Sequence, residues 1–259
     1  MKILMLAVVL FATTIGALCG IGGGVIIKPV FDLISSYDSA TINFLSSSTV
    51  LAMSLYAVIN NYLNKKLNFK ENLFLAISAA IGGLLGGKCF RFLKDSVSEP
   101  KTVTAVQSLV LMLLIIVVFV YTLNKQKIKP LNVTSQLAKS VLGFVLGFVS
   151  SFLGIGGGPI NVAAFIFFLG LDSKEAADCS LFAIVFAQTA NLLSTAVSGN
   201  IPETDWGMLL TMICLGILGG IIGRKINKKV SNETVDKLFN CSNLLIILIC
   251  LFNFIRNIE

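Results

Sequence analysis

Histidine is absent from the 259 residues of this sequence. Its absence removes the commonest metal ligand and the side chain that most often relays protons near neutral pH. The six cysteines form no CxxC pair, so a zinc site, a redox motif and a disulfide framework are all unexpected. We therefore predict no metal or other cofactor. An enzyme is disfavoured as well, because neither a histidine triad nor paired mid-segment carboxylates are present.

Charge is also scarce, since only 13% of the residues are charged against roughly 25% in an ordinary soluble domain. Hydrophobic residues make up 56% of the chain, and the mean hydropathy is +0.90. The longest polar connectors, near 88–101 and 224–237, are too short to form a soluble domain. The net charge of +7 comes from lysines and arginines beside the ends of apolar segments. This placement indicates membrane orientation and no nucleic-acid partner.

Long apolar runs account for most of the chain, and most have the roughly 20 residues that a helix needs to cross a bilayer. None alternates polar and apolar residues as a barrel strand would. The sequence therefore predicts an all-α, multi-pass protein of the cell (cytoplasmic) membrane. The runs are 3–31, 40–63, 73–87, 102–123, 141–171, 176–198, 206–223 and 238–255.

The motif GIGGG occurs twice, at 20–24 and at 154–158. At the same offset Asp38-Ser39 is repeated as Asp172-Ser173, and GGLLGGK at 82–88 resembles GGIIGRK at 219–225. These matches predict two homologous transmembrane repeats, 1–128 and 129–259, within one membrane domain. Transporters are often built in this way, with the substrate site between the repeats.

The charges of the connections predict that the two repeats are inverted. Lys65, Lys66 and Lys70 follow the second apolar segment of the first repeat, whereas Glu203 and Asp205 occupy the matching place in the second. An inverted pair with three full crossings each puts the Lys65 loop, the 125–129 linker and the 224–229 loop in the cytoplasm. Both termini then face outward. The basic connector at 88–101 would also lie outside and does not fit this rule.

Each GIGGG motif is predicted to break a helix. The run at 141–171 would be about 46 Å long as one helix, against a hydrocarbon core of about 30 Å. Glycine permits unusual backbone angles, and Pro159 suits the first turn of a new helix. We expect a re-entrant pair of half-helices at each motif, whose tips meet near the membrane centre. Unpaired N–H groups and the positive end of the helix dipole would bind an anion there.

Other glycines are spaced for close helix packing, and for these we expect no binding role. They are the pairs Gly16/Gly20, Gly82/Gly86, Gly143/Gly147 and Gly219/Gly223. The cysteines are likewise expected to be core residues. Asp178 is the nearest candidate for an interior carboxylate, so a cation transporter is disfavoured.

The doubled GIGGG, the GGLLGGK and GGIIGRK motifs and the eight or so apolar segments resemble the TauE/SafE sulfite exporter family over nearly the whole chain. The resemblance implies transport of sulfur-containing anions, such as sulfite or sulfonates, across the cytoplasmic membrane. The motifs are specific for the family and poorly specific for substrate. Transport of a carboxylate or another small organic anion, and a structural membrane protein that transports nothing, therefore stay open. The expected partners are a small anion, the lipid bilayer and, as an option, a second copy in a homodimer.

The predicted substrate site combines the tip glycines with polar residues that should surround them. Lys28 would either meet the anion or extend to the membrane surface. Asn161 would donate to the anion or cap its helix, and serines often bond only their own helix. Gln188 and Asn191 are favoured because an amide in lipid needs a partner. The predicted residues are Gly22, Gly23, Gly24, Lys28, Ser47, Ser48, Gly156, Gly157, Gly158, Asn161, Ser180, Gln188 and Asn191.

Overall fold

The computed structural model describes residues 2–63, 69–96, 100–199 and 201–258. These residues form ten α-helices and one short 3-10 helix at Lys125–Lys127, with no strand among them, so the all-α prediction is confirmed. The loop with Lys65 and Lys66 lies outside the described residues. The helices are α1 (Lys2–Cys19), α2 (Gly24–Ile34), α3 (Ser39–Leu63), α4 (Phe69–Ser96), α5 (Pro100–Asn124), α6 (Gln136–Leu153), α7 (Gly158–Leu169), α8 (Ser173–Val197), α9 (Trp206–Lys229) and α10 (Asn232–Ile258).

Eight helices of the described residues are long and apolar enough to cross a membrane: α1, α3, α4, α5, α6, α8, α9 and α10. Large apolar side chains project outward from them, such as Val117, Leu137 and Val197. In water these exposed side chains would be unfavourable, whereas lipid solvates them. The chain is a multi-pass membrane protein.

The helices break at both GIGGG motifs. α1 ends at Cys19 and α2 begins at Gly24, while α6 ends at Leu153 and α7 begins at Gly158. The first helix of each pair is longer than the half-helix expected. α1 and α6 have 18 residues each, about 27 Å. α2 and α7 have 11 and 12 residues, about 17 Å. Only the second member of each pair is too short to cross the hydrocarbon core.

The helices before and after the predicted repeat boundary pack reciprocally. α1 packs against α9, α4 against α6, α3 against α8 and α5 against α10. The predicted boundary divides the helices into two sets of five, α1–α5 and α6–α10. The first helix of either set packs against the fourth helix of the other, the two third helices pack together, and so do the two fifth helices. Two equivalent halves would pack in this way. The repeats themselves stay a prediction.

Glycines let these helix pairs approach closely. A Cβ atom on Gly82 or Gly86 of α4 would overlap a carbonyl oxygen of α6, and a Cβ on Gly143 or Gly147 would overlap one of α4. Gly219 and Gly223 of α9 lie equally close to α1, and Gly16 and Gly20 are also enclosed by neighbouring atoms. The packing role predicted for the pairs Gly82/Gly86, Gly143/Gly147 and Gly219/Gly223 is confirmed.

One end of the bundle, the basic end, gathers several positive segments. Lys125 pairs with Asp236 at the start of α10, with 2.6 Å between Nζ and Oδ2. Arg224 near the end of α9 bonds Asn61 near the end of α3. The 125–129 linker, the 224–229 segment and the last turn of α3 therefore lie at the same end, as the predicted topology requires.

The opposite end, the terminal end, holds the first turn of α1 and the last turn of α10. Lys2 pairs with Asp205 at 2.9 Å, and Arg256 donates to the Leu33 carbonyl at 2.7 Å. Thr41 at the start of α3 donates to the Glu203 carbonyl at 3.3 Å. Since Asn61 marks the other end of α3, the two chain termini lie opposite the basic end. Which end faces the cytoplasm stays a prediction from charge.

Candidate functional site

The two GIGGG tips are in direct contact. A Cβ on Gly24, the first residue of α2, would lie 2.9 Å from the carbonyl oxygen of Ile155. A Cβ on Gly158, the first residue of α7, would overlap the carbonyl group of Ile21. All ten residues of the two motifs are buried. The N-termini of α2 and α7 therefore lie side by side in the interior.

Neither short helix has a side-chain cap at its N-terminus. The N-cap residues are Gly23 and Gly157, and no side-chain hydrogen bond caps α2 or α7. Both glycines have positive φ, 71° and 69°, where residues with a Cβ are strained. A helix whose first N–H groups lack side-chain acceptors attracts negative charge. Both short helices therefore begin without a side-chain acceptor for their first N–H groups.

Two amide side chains next to the tips have unpartnered oxygens. Asn161 and Gln188 are only 2% and 1% exposed, and Asn161 Oδ1 and Gln188 Oε1 have no hydrogen-bond partner in the described structure. Asn161 Oδ1 lies 3.2 Å from the place of a Cβ on Gly157, and Gln188 Nε2 lies 3.3 Å from that of Gly156. An unpaired buried acceptor is costly, and the part of each amide that could donate to an anion is its NH₂ group.

The predicted serines have different roles. Ser180 Oγ donates to the Gly20 carbonyl at 2.7 Å and lies 3.5 Å from that of Gly158, so this hydroxyl links the two tips. Ser48 donates to the Phe44 carbonyl one turn earlier, at 2.8 Å. This is a bond within its own helix, the alternative to substrate contact that the sequence analysis kept open for serines.

Lys28 forms an ion pair in the interior. Its side chain is only 4% exposed, and its Nζ lies 3.0 Å from Asp32 Oδ2, one turn later on α2. The ammonium also donates to Gln107 Oε1 at 3.1 Å. Lys28 therefore does not extend to the membrane surface, and its charge is already balanced by a carboxylate. The signal that could have revealed this is the i, i+4 spacing of Lys28 and Asp32.

A cavity of about 80 Å³ lies beside the second tip. Of the predicted site residues, Ser47 and Asn191 line it. Sequence reasoning missed Arg91 because 88–101 was interpreted as an outer connector, whereas α4 continues to Ser96. The lining residues are Ala40, Asn43, Phe44, Ser47, Gly87, Phe90, Arg91, Ser151, Gly154, Asn191, Leu192, Thr195 and Pro202.

Comparison with known proteins now identifies the fold's family. The family model of the sulfite exporter TauE/SafE matches residues 5–250. The chain belongs to the TauE/SafE family. A relative from Bacillus subtilis (strain 168), the probable membrane transporter protein YunE, is 23% identical over 261 residues, which cover 90% of this chain and 91% of that protein. No solved structure matches. With eight apolar helices long enough to cross a membrane among its described residues, this TauE/SafE protein is a membrane transporter.

The transporter holds a second interior ion pair at its basic end. Arg224 is 1% exposed, and its Nη1 donates to Asp178 Oδ1 at 2.6 Å while Nη2 donates to Asn61 Oδ1. The sequence placed Arg224 in a loop, but α9 continues to Lys229 and buries it. The interior carboxylates of Asp32 and Asp178 are thus both neutralised by a cation, which leaves neither one free for a cationic substrate.

The cysteines of this TauE/SafE protein fall into two groups. Cys19, Cys179 and Cys250 are buried free thiols, as expected of core residues. Cys89, Cys214 and Cys241 are exposed free thiols, which corrects the expectation that the cysteines are core residues. Each of these three lies on an apolar helix whose outer face would meet lipid.

Proposed function

We propose that this transporter moves small oxyanions across the cell membrane and binds them at the tips of α2 and α7. Sulfur-containing anions such as sulfite and organosulfonates are the first candidates, because the family takes its name from a sulfite exporter. The observation that carries the proposal is the meeting of two uncapped helix N-termini in the buried interior, beside the amide side chains of Asn161 and Gln188.

Electrostatics favour an anion bound through N–H groups at this place. The interior cations Lys28 and Arg224 are each paired with an aspartate, so neither supplies a free charge at the tips. Backbone N–H groups and the helix dipoles would supply the attraction, and the amides of Asn161 and Gln188 would add donors. A carboxylate could use the same donors. Small carboxylates are therefore the second candidate substrates.

A matched pair of glycine substitutions tests the tip. Gly156 and Gly199 have φ values of 75° and 65°, so alanine is strained at both. At Gly156 a Cβ would meet the flexible end of Gln188, at 3.3 Å, whereas at Gly199 nothing lies within 4 Å. The two substitutions share the backbone penalty, and only the first places a methyl group at the proposed site.

The measurement is anion flux into liposomes that contain the purified protein, with sulfite, sulfate, thiosulfate, small sulfonates and small carboxylates. We expect Gly156→Ala to lower flux at least about tenfold, the equivalent of 1.4 kcal/mol, and Gly199→Ala to leave flux near the wild-type value. Equal flux in the two variants would refute binding at the tips. Absence of flux with every anion in the wild-type protein would refute anion transport.

A further inference from the structure

The cavity beside the tip at 154–158 is lined by a cation, Arg91, that differs from the interior cations Lys28 and Arg224. Arg91 is partly buried and donates to Ser194 Oγ at 3.1 Å and to Thr195 Oγ1 at 3.3 Å. Among the described residues it pairs with no carboxylate. Lys28 and Arg224, in contrast, each have an aspartate partner. Arg91 therefore keeps its positive charge for a ligand.

The cavity wall also carries polar groups without partners. Ser151 is 3% exposed and its Oγ has no hydrogen-bond partner in the described structure, and Asn43 Oδ1 is likewise unpartnered. Both residues line the cavity with Arg91. A hydroxyl can donate to an oxyanion, and an amide can do so through its NH₂ group. The Ser151 hydroxyl and the Asn43 NH₂ group are therefore donors that a small anion could use.

The size and place of the cavity fit a small oxyanion. Its volume of about 80 Å³ is several times the roughly 10–15 Å³ that one water requires. The lining extends from Gly154 of the second tip to Pro202, in the connection between α8 and α9. It thus reaches from the proposed binding tips towards the terminal end of the bundle.

We infer that this cavity is a second oxyanion subsite, in which Arg91 binds the anion on its path between the terminal end and the tips. The inference rests on the proposed anion transport. It adds a charged subsite that is separate from the N–H groups of α2 and α7. An ammonium or guanidinium substrate is excluded there, because Arg91 would repel it.

Thiol labelling tests the charge of the cavity without any transport assay. Leu192 lines the cavity, so Leu192→Cys in full-length protein, with the exposed Cys89, Cys214 and Cys241 replaced by alanine, provides a reporter. An anionic, sulfonate-bearing methanethiosulfonate and a cationic, trimethylammonium-bearing one are compared. Each forms a mixed disulfide with the thiolate and releases methanesulfinate. The ratio of the two labelling rates reports the local potential.

Arg91→Gln should lower the anionic-to-cationic rate ratio at least about fivefold, since a nearby charge focuses ions of opposite sign. Lys88→Gln is the matched control, because Lys88 is an exposed lysine three residues earlier on α4 and should leave the ratio unchanged. Arg91→Lys should preserve most of the ratio. An unchanged ratio in Arg91→Gln, or an equal fall in Lys88→Gln, would overturn the inference.

Flux measurements separate this inference from the proposed function. In liposomes, Arg91→Gln should raise KM for the transported anion several-fold with a smaller change in the maximal rate. If the labelling ratio falls in Arg91→Gln but Gly156→Ala and Gly199→Ala transport equally, the tips are refuted and the Arg91 subsite stands. If Gly156→Ala alone abolishes flux and Arg91→Gln changes neither KM nor the ratio, the Arg91 subsite is refuted and the tips stand.

Discussion

α3 and α8 both extend between the basic end and the terminal end of the bundle, and the interior of the bundle differs between these two ends. At the basic end, Arg224, Asp178 and Asn61 form a buried cluster. At the terminal end, about 26 Å away along the helices, a cavity contains Asn43, Thr195 and Gly87.

An alignment of the two predicted repeats assigns the difference to particular positions. In GGLLGGK and GGIIGRK, Gly87 stands where the second motif has Arg224. At the GIGGG offset, Phe44 corresponds to Asp178 and Thr195 to Asn61. Phe44, Gly87 and Thr195 all line the cavity. Three differences between the two predicted repeats thus separate an end closed by an ion pair from an end with space for a ligand.

The largest expected effect comes from removing the buried ion pair at the basic end. Arg224→Met would leave the Asp178 carboxylate buried without a cation, which costs about 3–5 kcal/mol of unfolding free energy. Thermal or denaturant unfolding in detergent would measure the loss. The double variant Arg224→Met/Asp178→Leu should recover much of it, because no buried charge remains. Equal instability of the single and double variants would show that the pair is not what stabilises this end.

The next largest effect is expected from a substitution that fills part of the cavity at the terminal end. A Cβ on Gly87 would lie 2.5 Å from Asn191 Oδ1, so Gly87→Val places its side chain at the cavity wall. We expect anion flux to fall about tenfold or more while unfolding free energy changes by about 1 kcal/mol or less, since valine is no worse than glycine in a helix. Cys89→Val is the control, two residues later and exposed. Unaltered flux in Gly87→Val would remove the cavity from the pathway.

A smaller effect concerns the helix packing that holds the cavity wall. Gly143 of α6 packs against the Leu75 carbonyl of α4, and α4 carries Gly87 and Arg91. Gly143→Ala should cost about 1–3 kcal/mol through overpacking, with flux per folded molecule nearly unchanged. Unfolding and flux measured on the same preparation would separate the two. Loss of flux at full stability would assign Gly143 a role in transport.

The smallest effect compares one cysteine at each end. Cys179 follows Asp178 and is buried, whereas Cys89 lies two residues before Arg91 and is exposed. Cys179→Ala should cost about 1 kcal/mol through lost packing, and Cys89→Ala close to nothing. Replacement of all six cysteines should leave most of the flux, with Cys179 as the position of greatest loss. Complete inactivation by Cys89→Ala would contradict this account.

The sequence predicted well whatever depends on local composition. Apolar runs of sufficient length predicted the membrane helices, and tandem glycines predicted the breaks before Gly24 and Gly158, because helix propensity and backbone freedom act over a few residues. It also predicted Asn161 and Gln188 beside the tips, where the structure places both. It failed where a helix continues past its apolar run. Arg91 and Arg224 follow the runs in sequence, yet both lie on helices, and Arg224 is buried.

The sequence by itself therefore determined that this protein lies in the membrane, is all-helical, and has two broken helices with uncapped tips. Only the tertiary structure decided which charges are neutralised and where space remains. Arg224 meets Asp178 across 46 positions of the chain, and the cavity joins residues from Ala40 to Pro202. Contacts of this kind depend on how α3, α4, α6, α8 and α9 pack, because a side chain far along the chain can neutralise a charge or fill a space that local sequence leaves open.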